Sequence, residues 1–304
     1  MKLSTLNLFV TGATGYIGGS VATRLVAEGH RVRGLARDGA KADALAAFGI
    51  DPVVGDLANE DLLSREARAA DVVVNAASAD DLASVEVLIA AMSGSGKLLV
   101  HTSCSSVVGD DARGNSLSSK VFDEATPFVV APAKQARHQL NQTVHAAAQI
   151  GMRTAVICPT LIYGAGRGLN KQSIQIPFLV DEARRRGAVH IVGTGVNRWS
   201  TVHIDDLTDV YSRVVMRPDS AGFYFAENGE VSYFALGTAI AERLSMGAVV
   251  SMSAEDAAAQ WGAARAFYTY GSNSRVQARR AREELGWEPR HGSVLHWIRD
   301  EMPL

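Results

Sequence analysis

An octapeptide near the start of the chain, Thr11-Gly12-Ala13-Thr14-Gly15-Tyr16-Ile17-Gly18, has the residue types and spacing to hold a phosphate. It follows a short apolar run, LNLFVT, and opens a segment with Ile17, Val21 and Leu25 at helical spacing. In a strand–turn–helix of this kind the first glycine allows a tight turn and the second lets a pyrophosphate reach the backbone. The third lets helix and strand pack closely, and the helix N-terminus offers free N–H groups to the phosphates. Gly12, Thr14, Gly15, Tyr16, Ile17 and Gly18 are therefore expected to bind a dinucleotide. The second strand ends in Ala36-Arg37. An acidic residue there hydrogen-bonds the adenine ribose, whereas a basic one accommodates a 2′-phosphate, so Arg37, with Arg33 nearby, favours NADP (NADPH) over NAD. Asp56 and Leu57 after the third strand are expected to flank the adenine, and Ala76, Ala77 and Ser78 to line the path to the nicotinamide.

Stepping along the chain, the apolar runs HRVRGLAR, DPVVGD, DVVVNAA, KLLVHTS and RTAVIC alternate with segments of helical period, including AKADALAAFG closed by Gly49. Strands that alternate with helices demand crossover connections, which give a parallel sheet covered on both faces. The expected fold class is α/β, a Rossmann-type doubly wound parallel sheet with a smaller C-terminal α/β substrate-binding part. Residues 1–165 are expected to form the dinucleotide-binding domain and 166–304 the smaller part, with some chain crossing back to the sheet. Helices are expected at 135–149, 177–186, 206–216 and 233–245. Between Gly109 and Lys134 no period is visible, and so long an irregular loop is a candidate substrate lid.

The composition, 47% hydrophobic and 20% charged with a formal net charge of -2, shows no basic excess to attract nucleic acid or anionic membrane. No apolar run reaches the length of about 20 residues needed to span a bilayer, and the first residues lead straight into the glycine turn, so a cytoplasmic protein is expected. Cys104 and Cys158 are the only cysteines and are expected as free thiols; no metal site is expected.

GATGYIGG at 12–19, GDL at 55–57, NAA at 75–77, HTSCSSVVG at 101–109, PTLIYG at 159–164 and VHIDDL at 202–207 resemble, in order, the landmarks of extended short-chain dehydrogenases and related sugar-nucleotide epimerases. The stretch from His101 to Glu124 looks like that of an atypical branch. The resemblance adds Thr102, Pro159, Thr160 and Leu161 to the expected cofactor-binding set. It also implies a Tyr-x-x-x-Lys pair on one helix, the lysine lowering the phenol's pKa while the tyrosine passes a proton. Lys134 matches the lysine, but Val130 stands where the tyrosine belongs, and no tyrosine lies between Tyr16 and Tyr163. The family's Ser/Thr position falls on Cys104. Ser103, Cys104, Ser105 and Lys134 are thus the catalytic candidates, with His138 four residues beyond the lysine. Tyr163 and His203 are expected to be structural.

Hydride transfer asks the protein mainly to hold the nicotinamide against a carbonyl. The expected function is an NADP-dependent, carbonyl reductase-like oxidoreductase of small apolar or aromatic substrates. One alternative is an epimerase or dehydratase; Trp199 stands where that group's arginine is expected, with Arg198 beside it. The other is a non-catalytic NADP-binding redox sensor. Helices 137–149 and 177–186 are possible dimer faces, the first through Leu140, Val144 and Ala148, so monomer and homodimer are both open.

Overall fold

The computed structural model describes residues 5–303. The short apolar runs become strands, and those at the centre of the main sheet are buried on both faces. The strands are β1 (Asn7–Thr11), β2 (Arg31–Ala36), β3 (Asp51–Val54), β4 (Val72–Asn75), β5 (Leu98–Thr102) and β6 (Arg153–Pro159), followed by the short β7 (Leu161–Tyr163) and β8 (His190–Val192) and by β9 (Arg198–His203). The last three are β10 (Gly222–Ala226), β11 (Glu230–Ser232) and β12 (Val250–Met252). Seven of them form one sheet in the order β10-β6-β5-β4-β1-β2-β3, every pair parallel. The order reverses between β1 and β4, and the connections leaving their C-terminal ends part there to open a crevice.

Helices α1 (Tyr16–Ala27), α2 (Gly39–Ala46), α3 (Glu60–Ala69), α4 (Leu82–Met92) and α5 (Gln135–Ala146) supply the crossovers. Asp38, Asn59 and Asp81 start α2, α3 and α4 by accepting a backbone N–H from the first turn at 2.9, 3.0 and 3.3 Å. Alternate strand residues feed opposite cores. Leu8, Val10, Val72, Val74, Leu98 and Val100 pack with α1 and α2, whereas Phe9, Val73 and Leu99 pack with α3, α4 and α5.

Beyond β6 the chain builds α6 (Gln175–Arg186), α7 (Ile204–Met216), α8 (Tyr233–Arg243) and α9 (Ala254–Trp261). Two of these later elements cross back: β10 completes the sheet edge beside β6, and α7 packs through Leu207, Val210 and Val214 in the core that contains α1. A second core joins α6, α8, α9, Trp199 and Tyr270. On the two helices named as possible dimer faces, Leu140 and Val144 of α5 lie in one core and Leu179 and Val180 of α6 in the other, while Ala148 is exposed. Loop 109–134 does not hang free. Asp110 binds Asn273, Gly114 donates to the Gly271 carbonyl, and Phe122 bridges to Val276. No helix among the described residues is long and apolar enough to cross a membrane.

Asp206, 4% exposed, ties α7 to the tail. Its carboxylate accepts from the Arg290 and His291 amides at 2.9 Å each, and its carbonyl accepts from Trp287 Nε1 at 2.9 Å. Replacing Asp206 by Ala strands two amide donors in a partly buried site, so Asp206→Ala should lower the unfolding free energy by about 3 kcal/mol. Urea denaturation checks this; a loss below about 0.5 kcal/mol, the scale of an ordinary surface substitution, would show that the clamp is dispensable.

Candidate active site

Three backbones meet at the crevice. Gly12 has φ +72°, and a Cβ on it would lie 2.5 Å from the Ala76 carbonyl oxygen after β4. On Gly18 a Cβ would lie 2.3 Å from the Gly12 oxygen, so only glycine lets α1 sit this close to β1. Gly15 caps α1 without a side-chain bond, which leaves the first-turn N–H groups facing the crevice. Gly15, Tyr16 and Ile17 line a cavity of about 520 Å³, and Thr14 lies half-buried beside them. Tyr16 itself is held by a hydrogen bond from its hydroxyl to the Gly164 carbonyl at 2.8 Å. Below the crevice, facing strand ends are stitched by side chains: Thr11 Oγ1 donates to Asn75 Oδ1 at 2.5 Å, and Asn75 Nδ2 lies 3.2 Å from His101 Nδ1.

At the end of β2, Arg37 is exposed and has no ion pair among the described residues, while its neighbour Asp38 is occupied in capping α2. Arg33 does not join it, because Arg33 lies in mid-strand and pairs with the buried Glu66 at 2.6 Å. Asp56 accepts from the Ala58 amide at 3.0 Å in a shallow depression apart from the cavity, and Leu57 packs against the α3 core.

The same cavity takes in Ala76, Ser103, Cys104, Lys134, Pro159 and Thr160. Ser103 is 4% exposed and its hydroxyl has no partner in the protein. Cys104 is a half-buried free thiol, whereas Cys158 is wholly buried in β6. Several expected residues do not line the cavity. Ser105 is fully buried with its Oγ 2.8 Å from Ser274 Oγ, Thr102 Oγ1 lies 2.7 Å from the buried Tyr211 hydroxyl, and Leu161 belongs to the second core. Ala77 is exposed, and Ser78 Oγ accepts from the Asp80 amide at 3.2 Å.

Lys134 directly precedes α5, so Val130 lies in the loop outside the helix and not one turn below the lysine on a shared face. Burial, then the neighbouring Arg137, pulls the Lys134 pKa down from the ordinary lysine value. Arg137 escaped the sequence reading although it stands only three residues after Lys134. Its guanidinium grips Asp80 at 2.8 and 2.5 Å and donates to Ser106 Oγ at 3.0 Å. That hydrogen bonding holds the Asp80 carboxyl below the usual carboxylate range. Arg265, Thr269 and Tyr270 close the cavity from the tail, with no sequence signal to announce them.

The other singled-out side chains support the walls. His138 stands edge-on to Phe128 and outside the cavity. Trp199, 1% exposed, touches the cavity but fixes its indole N–H on the Ser272 carbonyl at 2.9 Å, and Arg198 pairs with Glu230 at 2.9 Å. The Tyr163 hydroxyl donates to the His291 carbonyl at 2.8 Å. His203 accepts from the Asp205 amide and stacks on His291 with centroids 3.8 Å apart. These two histidines and Asp205 bring possible ligand atoms within 4.8 Å, but Arg167 already holds the Asp205 carboxylate.

Residues 8–224 match the model of the NAD dependent epimerase/dehydratase family. The chain belongs to that family. It is 32% identical over 328 residues to the oxidase ucsJ of Acremonium sp, a match covering 94% of this chain and 93% of the relative. With a 4-hydroxy-2-methyl-3-oxo-4-farnesyl-3,4-dihydroquinoline-1-oxide ketoreductase of Stigmatella aurantiaca it shares 28% identity over 237 residues, 74% of this chain and 69% of the relative. The crystal structure of dTDP-glucose 4,6-dehydratase from Bacillus anthracis in complex with NAD superposes with a TM-score of 0.76 at 18% identity, covering 97% of this chain and 95% of that one. At that identity the likeness is one of fold. The match takes in the glycine corner and the strands that bound the crevice.

The buried polar ladder makes stability depend on pH. His101 is pushed down to about 4, first by burial and then by Arg137, from an ordinary 6.5. As pH falls, the unfolded chain takes up this proton first, so the contribution is complete above about 6.5 and is lost between there and 4. Unfolding free energy at pH 5 should be about 2 kcal/mol lower than at pH 7 from this residue alone. Urea titrations of the parent and of His101→Asn at both pH values test it, and an unchanged pH slope in the variant would refute a neutral buried imidazole.

Proposed function

We propose that the chain is an NADP-dependent reductase of aldehyde or ketone carbonyls in which Ser103 and Lys134 stand in for the missing tyrosine. The observation that carries this reading is that one cavity is lined by Gly15 of the glycine corner, by Ser103 with its unpartnered buried hydroxyl and by Lys134. Gly12, Gly15 and Gly18 leave space where side chains would collide with backbone, which fits a pyrophosphate, and Arg37 stands free to meet a 2′-phosphate. Residues 1–165 would hold the cofactor and 166–304 would supply most of the substrate wall.

When bound, the cofactor supplies the hydride; the carbonyl oxygen then needs a proton. Ser103 Oγ can donate a hydrogen bond to that oxygen. Lys134, whose charged form is disfavoured by burial and by Arg137, can release the proton more readily than an ordinary lysine. Arg137, clamped by Asp80, keeps the lysine's surroundings positive and Ser106 in place. The ketoreductase relative agrees with this reading by name. An epimerase is less well served, since Arg198 is paired with Glu230 and Trp199 is buried.

Calorimetric titration with NADPH and NADH, followed by absorbance of the reduced cofactor during addition of aldehydes and ketones, tests the proposal. NADPH should bind preferentially, and Arg37→Ala should weaken NADPH binding about tenfold or more by removing a charge-assisted contact. Lys134→Ala should lower kcat at least about 100-fold, the lower range for general-acid catalysis. In the parent enzyme kcat should fall as pH rises, with its midpoint below about 10.4, the ordinary lysine value. Tight NADPH binding with no oxidation by any carbonyl would replace the reductase by a cofactor-binding sensor, and absence of NADPH binding would overturn the reading altogether.

A further inference from the structure

A second hollow of about 950 Å³ is lined by residues that neighbour, in sequence, those lining the first. Val121, Phe122, Phe128, Val129 and Val130 from loop 109–134, and Tyr268 from the tail, form most of its apolar wall. Three segments serve both spaces. Ser106 faces the chemical cavity and Val108 the second hollow; Lys134 faces the first and Pro132 the second; Thr269 and Tyr270 face the first and Tyr268 the second. The Lys134 ammonium lies 5.8 Å from the Tyr268 ring centroid, so the same cation marks the junction.

Apart from Lys120, the charged groups in this lining are matched already. Asp110 accepts from the Asn273 amide and side chain at 2.8 and 2.9 Å, Asp111 pairs with Arg113, and Arg275 pairs with Glu230 at 2.7 Å. What is left unmatched is apolar. Val129 is 94% exposed and Val121 37%, in a loop anchored by Asp110 on Asn273 and by the Phe122 N–H on the Arg275 carbonyl. Clustered apolar side chains around an open concavity mark a binding surface more often than isolated ones do.

We propose that this compartment receives the apolar tail of the substrate, so that the preferred substrate is amphiphilic. Its carbonyl head sits at Ser103 and Lys134, and an alkyl or aryl tail of several carbons passes Tyr268 to lie on Val121, Phe128 and Val129. The head's position rests on the reductase reading; the tail compartment stands on its own lining and on the three segments that contribute to both hollows.

Binding of unbranched methyl ketones from 2-butanone to 2-octanone, measured by calorimetry with and without saturating NADP⁺, separates the two. Each methylene moved out of water should tighten Kd about threefold to fourfold. Val121→Asp and Val129→Asp should flatten that dependence, with the melting temperature confirming that the variants fold. A Kd independent of tail length in the parent, or a slope unaltered in both variants, would overturn the compartment. Ketones that bind with the expected slope yet never oxidise NADPH would support the compartment and remove the reductase.

Discussion

Backbone crowding at one corner governs this molecule. The turn after β1, the first turn of α1 and the chain leaving β4 approach so closely that side chains at Gly12 and Gly18 would fall within 2.5 Å of carbonyl oxygens. The crowding aims an uncapped helix N-terminus, with its partial positive charge, along the crevice at the switch in strand order. A phosphate is the natural occupant of such a place, and the chemical groups have only to be brought to its far end.

They are brought there from three directions. The turn after β5 supplies Ser103 and Cys104, the N-terminal end of α5 contributes Lys134 and Arg137, and the tail closes over them with Arg265, Thr269 and Tyr270. The polar ladder Thr11, Asn75, His101 lies beneath, where burial keeps the imidazole neutral. A neutral histidine there lets the cavity's positive charge come from Lys134 and Arg137, with Asp80 balancing the second.

The later half of the chain is tied in by polar anchors at the edges of its own apolar core. Asp206 clamps the tail, Asn197 donates to the Tyr270 and Ser272 carbonyls, and Arg275 reaches from the tail to Ser118 in the long loop. Because each anchor spans dozens of residues, the walls of both hollows depend on segments remote in sequence. The loop was legible as irregular; its role as a wall came from its pairing with residues 271–276.

The strand–helix alternation, the glycine corner and the exposed Arg37 could all be read from the sequence, because hydrophobic period and glycine spacing are local properties of a chain. Local spacing also places Val130 four residues before Lys134. It could not show which of Ser103, Cys104 and Ser105 faces the cavity, since the chain leaves β5 into a tight turn that sends Ser105 to Ser274 and leaves Ser103 unpartnered. Nor could it foresee that Thr102 and Leu161 would be claimed by Tyr211 and the second core, or Arg33 by Glu66. The Arg137–Asp80 grip and the tail's part in the cavity join residues tens to more than a hundred positions apart. Such contacts are decided by packing in three dimensions, where burial and the pairing of charges choose partners that no local period encodes.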